Sequence, residues 1–183
     1  MGMEFLKGPL GSYQNYLRHI AFRNYFEYVS KKKLHVERGE NSTPSKYEEF
    51  RLFLNAIEAL NNVIDYFYFE NESSLTSGFV DLNQFRKKAL DLFDELRQLA
   101  NLANAYKHCV RSPKGKKDES VPWAKDLQRP LLHISIDLKT ESPRIDTEYR
   151  FEWPIPEYEN ILSRAFDFWM KHSDDQRWIV FIG

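Results

Sequence analysis

LNQFRKKALDLFDELRQLANLANAYKHCVR, residues 82–111, is the stretch on which the reading of the fold turns. Leu82, Phe85, Ala89, Leu92, Leu96, Leu99, Ala103, Tyr106 and Val110 follow one another by threes and fours. That spacing lines them along one seam, so the expectation is a single unbroken helix over 82–111 around which the chain is organised. A second row, Asp94, Arg97, Asn101, Asn104, His108 and Arg111, keeps the spacing on roughly the opposite face. The seam accounts for folding. The polar row is the candidate for function.

Working outward, YQNYLRHIAFRNYFEYVS (13–30) reads as a first helix capped by Ser12, with aromatics around much of its circumference. KKKLHVERGENSTPS (31–45) reads as a loop. Ser45 and Glu48 form a capping box for a second helix, whose seam is Tyr47, Phe50, Leu54, Ile57, Asn61, Ile64 and Tyr68, widened by Phe53, Leu60 and Phe67. NESSLTSG (71–78) reads as a loop and Asp81 as the next cap. Residues 112–130 carry Pro, Gly and mixed charge, the composition of a mobile loop.

Beyond it the period changes to two. Leu132, Ile134, Ile136 and Leu138, then Ile145, Thr147, Tyr149, Phe151 and Trp153, alternate with polar residues, which predicts an antiparallel hairpin with one face on the core. Helical spacing returns over Glu157–His172, and WIVFI (178–182) reads as a short strand or buried plug. The expected fold class is mainly α: a bundle of three to four helices with a C-terminal antiparallel β-hairpin, in one domain spanning 1–183. Its bundle core is 13–111, and 131–183 hold the hairpin, the last helix and a tail.

Composition bounds the function. The chain has 183 residues, 42 % of them apolar, including 14 Phe, 10 Tyr and 4 Trp, which argues against intrinsic disorder. Net charge is −1, from 26 basic and 27 acidic residues, so no overall field draws it to nucleic acid or anionic membrane. Lys114, Lys116 and Lys117 form a short basic run of the kind usually solvated. Cys109 is the one cysteine, which excludes an intrachain disulfide and a thiolate metal cage. With no secretory pattern at the N-terminus and no apolar run of membrane length, the expected location is cytoplasmic, without membrane partners.

There is no Gly-rich phosphate loop, no metal-ligand spacing and no nucleophile elbow, so neither cofactor nor metal is expected. The histidines, 19, 35, 108, 133 and 172, lie far apart in sequence. What remains is the polar row. Asn104 and His108 stand one turn apart, Arg111 about one turn further, and Asn101, Lys107 and Arg97 lie along the same side. The binding set read from the sequence is Asn101, Asn104, Lys107, His108 and Arg111, with His108 the candidate for acid–base work. The plain alternative is a wet helix face, but such faces usually carry Glu, Lys and Gln, whereas Asn and His are weaker helix formers. Most aromatics are expected in the core; Tyr66 and Phe69, off the second seam, are expected at a contact between subunits.

Asn104-Ala105-Tyr106-Lys107-His108, near the end of a long helix in a helical chain, resembles the motif region of the HEPN superfamily. The resemblance covers these residues and the helical context of 13–111, and leaves out the hairpin and last helix. It implies a helical bundle, a homodimer, and, in active members, a metal-independent endoribonuclease with the motif at a shared cleft. The family motif sets an arginine, often directly before an asparagine, four to six residues ahead of a histidine. Here Asn104 and His108 match, but Ala103 stands where the arginine would, and alanine offers no donor to a scissile phosphate. The expected function is therefore a non-catalytic HEPN-like protein acting through dimerisation or a protein partner. The alternative is a divergent endoribonuclease of toxin or defence type, with His108 as acid–base and Asn104, Lys107 and Arg111 around the phosphate of RNA.

Overall fold

The computed structural model describes residues 10–75, 81–109, 131–137, 144–150 and 153–174, and these are mainly helical. Ser12 opens the first helix as expected, its Oγ accepting the Asn15 N–H at 3.0 Å. α1 (Tyr13–Tyr16), a π-helical stretch (Leu17–Ala21) and α2 (Phe22–Arg38) run on without a break. In the wide π turn the Phe22 N–H reaches back to the Leu17 carbonyl. The extra residue of phase keeps Tyr13, Tyr16 and Leu17, then Ala21, Phe22 and Tyr28, on the buried side.

The loop expected over 31–45 is mostly helix. Lys, Leu, Glu and Arg in KKKLHVER are good helix formers, and α2 continues through them to Arg38. Its stop is Gly39, at φ 65 in the left-handed region. There the Gly39 N–H bonds the Val36 carbonyl at 3.1 Å and the Glu40 N–H bonds the His35 carbonyl at 2.8 Å. A Cβ on Gly39 would meet nothing within 4 Å. Gly39→Ala is therefore expected to cost only the left-handed backbone term, about 1 kcal/mol in urea unfolding; an unchanged midpoint would show that this stop is not under conformational constraint.

α3 (Thr43–Leu75) is the longest element and starts earlier than the capping box suggested. Ser42, rather than Ser45, is the cap: its Oγ accepts the Ser45 N–H at 3.3 Å. The helix also runs through the expected loop at 71–78 as far as Leu75, which is buried. At 33 residues it is about 50 Å long, and it touches α1, the π stretch, α2 and the three later helices. Arg51 and Asn55 on one side of its middle are exposed, while a wide face on the other is buried, by Phe53, Ala56, Ile57, Ala59, Leu60, Val63, Ile64 and Phe67. Asn61 is buried with them, whereas Tyr47, at the start of the expected seam, is exposed. The organising rod is α3, not 82–111.

The stretch 82–111 is not one helix. Asp81 caps α4 (Leu82–Leu92) by accepting the Gln84 N–H at 2.9 Å, as expected. Phe93 then lies extended at φ −118, ψ 106, and α5 (Asp94–Cys109) begins anew. The break leaves few backbone groups orphaned, because the Phe93 N–H still reaches Ala89 and the Arg97 N–H reaches Phe93. Its cause is tertiary: the Phe93 ring packs 5.0 Å from that of Phe168. The redirected α5 keeps Leu96, Leu99 and Ala103 in the core and releases Leu92, which is 45 % exposed.

Leu131–Asp137 (β1) and Arg144–Arg150 (β2) are antiparallel in backbone register. In that register Leu132 pairs with Tyr149, Ile134 with Thr147 and Ile136 with Ile145. The loop expected at 112–130 and the tail at 178–182 lie outside the described residues. α6 (Pro156–His172) opens on a proline, whose missing N–H costs nothing in a first turn. It lies in the same core as α1–α5, through Tyr158, Ile161, Leu162, Ala165, Phe168 and Trp169, so the bundle is not confined to 13–111. Trp153 just before it packs 4.7 Å from Phe53 and 5.0 Å from Phe50. Among the described residues no helix is long and apolar enough to cross a membrane.

Candidate functional site

Over residues 94–105, α5 has a buried face and an exposed one. Leu96, Leu99, Ala100, Leu102, Ala103 and Ala105 are buried, while Arg97, Asn101 and Asn104 are exposed. The polar row thus emerges as a narrow strip bounded on both sides by core residues. Its first members are engaged within the chain. Asp94 accepts from Gln98 Nε2 at 2.6 Å and from Arg97. Arg164 of α6 reaches Asp94 at 3.3 Å and Glu95 at 3.2 Å. Hydrogen bonding to Glu95, then to Asp94, raises the Arg164 guanidinium further above its ordinary range. Both carboxylates sit in the first turn of α5, where the helix dipole favours negative charge.

Asn101 and Asn104 are thus the members of the candidate set that the structure places, one turn apart on the exposed strip. The backbone of α5 continues through positions 107 and 108. The side chains of Lys107 and His108, and all of Arg111, lie outside the described residues.

A second polar cluster is absent from the sequence reading. His35, on the last turns of α2, is 3 % exposed, and its Nδ1 lies 2.6 Å from Glu49 Oε1, also buried. Its Nε2 faces Glu40 at 3.5 Å and Glu48 at 3.7 Å. Lys31 bonds Glu48 at 2.9 Å and holds that carboxyl below its ordinary range. Reading 31–45 as a loop hid this cluster; the signal that would have revealed it is KKKLHVER followed by Gly39, a run of helix formers with its stop.

The cluster clamps α2 to α3. Among the described residues no group of His, Cys, Asp and Glu is arranged to hold a metal ion. The imidazole is sealed from substrate, so an orienting carboxylate by itself does not make it a catalytic base. A parallel clamp joins α2 to α6, where Glu159 Oε1 accepts from both the Tyr28 hydroxyl and Lys32 Nζ. Burial and that hydrogen bond push the Tyr28 hydroxyl well above the usual phenol range. Tyr16, raised to about 12 chiefly by burial, stacks on Tyr66 with centroids 3.8 Å apart. Tyr66 is thereby engaged inside the subunit, while Phe69 is 47 % exposed.

Compared with protein-family models, curated proteins and solved structures, the chain matches none of them.

Proposed function

We propose that this protein is a non-catalytic, HEPN-like helical-bundle protein that acts by dimerisation or by binding a protein partner. The observation that carries the reading is the α5 strip: Asn101 and Asn104 stand exposed between the buried Ala100, Leu102, Ala103 and Ala105. Lys107, His108 and Arg111 extend it along the sequence. Amides and basic groups in such a row suit hydrogen bonding to a partner's carbonyls and carboxylates. Ala103, at the position of the family's arginine, is fully buried and cannot stabilise charge on a phosphate. The hairpin is read as an appendage with one apolar face toward the bundle, and the setting as cytoplasmic.

The alternative, cleavage of RNA by the same strip, rests on Asn104 and His108 alone. It predicts a metal-independent reaction with His108 as acid–base. Purified protein incubated with mixed RNA in EDTA, beside His108→Ala, decides between them. The expected result is intact RNA with both proteins. Cleavage by the parent chain that disappears in His108→Ala would overturn the non-catalytic reading.

A further inference from the structure

α2 turns one face inward, with Tyr28 and His35 buried, and the other outward. The outward face carries Phe26, 52 % exposed, Val29, 40 %, and Val36, 72 %. The three share their strip with Arg23, Ser30, Lys33 and Glu37, all exposed, and Phe26 also lies edge-on to Phe166 at 5.4 Å.

The order of charges names the occupant. Arg23, Ser30 and Glu37 occupy the same row, two turns apart each time, with opposite charges at the ends and a small residue at the middle. A second copy of α2 laid antiparallel about a two-fold at Ser30 sets Arg23 of each copy against Glu37 of the other. Counted from that axis, Phe26 comes level with Leu34 of the other copy, one residue past Lys33, and Val29 comes level with Lys31. A parallel pairing would oppose Arg23 to Arg23 and Glu37 to Glu37. Lys33 and Glu37 lie 3.7 Å apart within the chain, both exposed, a pairing weak enough to be shared or exchanged.

We propose that the outer face of α2, residues 23–37, is an antiparallel self-association surface whose partner is a second copy of this chain. The inference rests on the dimer half of the proposed function and adds a contact on α2, a surface apart from the α5 strip. The facing length is about 21 Å, so the buried area falls at the small end for protein interfaces and the dimer is expected in the micromolar range.

Sedimentation equilibrium of the full chain across a concentration series tests it. Arg23→Glu and Glu37→Arg each place like charges at both ends of the pairing and are expected to raise the dimer dissociation constant about tenfold. Arg23→Glu combined with Glu37→Arg restores opposite charges and is expected to return within about threefold of the parent. Both positions are exposed, and circular dichroism checks that the helices persist. A chain monomeric at all concentrations overturns this inference and the dimer reading together. A dimer indifferent to Arg23→Glu, or one that the double change fails to rescue, overturns the α2 surface while leaving dimerisation standing. The RNA assay reads catalysis independently of either result.

Discussion

Trp169→Ala is expected to lower unfolding free energy by about 3–5 kcal/mol, a loss comparable to much of the stability of a typical domain. Trp169 is fully buried in the last turn of α6, edge-on to Phe168 at 5.2 Å. Truncation removes the indole's transfer term and leaves a cavity that its neighbours close only in part. Leu162 and Ala165, fully buried on the same helix, sit in one core with Phe53, Phe67 and Leu99 from α3 and α5. The damage should therefore spread through the whole bundle, as one cooperative urea transition at a lower midpoint, followed at 222 nm because a reporter tryptophan is lost. Trp169→Phe, which keeps most of the volume, should cost appreciably less. Were α6 merely hung on residues 13–111, the transition of the remaining helices would not move.

The second large effect is expected at Glu49. Glu49→Ala leaves the His35 imidazole buried with nothing at its Nδ1, where Glu49 Oε1 now stands at 2.6 Å. The cost should be about 3 kcal/mol, where the penalty for an orphaned buried polar group meets that for a broken buried pair. Glu40 and Glu48, at 3.5 and 3.7 Å from Nε2, are too distant to take over the bond without rearrangement. Replacing both partners, His35→Leu with Glu49→Met, should lose less than Glu49→Ala alone, because no polar group is stranded. A double-mutant cycle by urea unfolding measures the coupling. A Glu49→Ala midpoint within error of the parent would show that the clamp does not hold α2 to α3.

The candidate strip on α5 was legible because a solvent-facing row obeys helix periodicity whatever the helix packs against. Asn101 and Asn104 share a row in the sequence and are exposed in the structure. The His35 cluster was not legible: its partner Glu49 is 14 residues away across a helix junction, and only the packing of α2 on α3 brings them together. The self-complementary row on α2 became visible only once the helix was known to pass residue 30 and to bury its opposite face.

By itself the sequence determined that this chain is mainly helical, where Ser12 and Asp81 start helices, and that Glu157 onward returns to helical spacing. Those outcomes follow from side-chain hydrogen bonding to the next few amides and from apolar spacing, both local. Tertiary structure decided which helix is central and where the 82–111 seam breaks. A run of threes and fours passes through Leu92 as smoothly as through Leu96, yet the chain lies extended at Phe93 and packs that ring on Phe168 of a distant helix. It also placed α3 at the centre, because its wide buried face, from Ala59 through Phe53 to Ile57, packs against every other helix of the bundle.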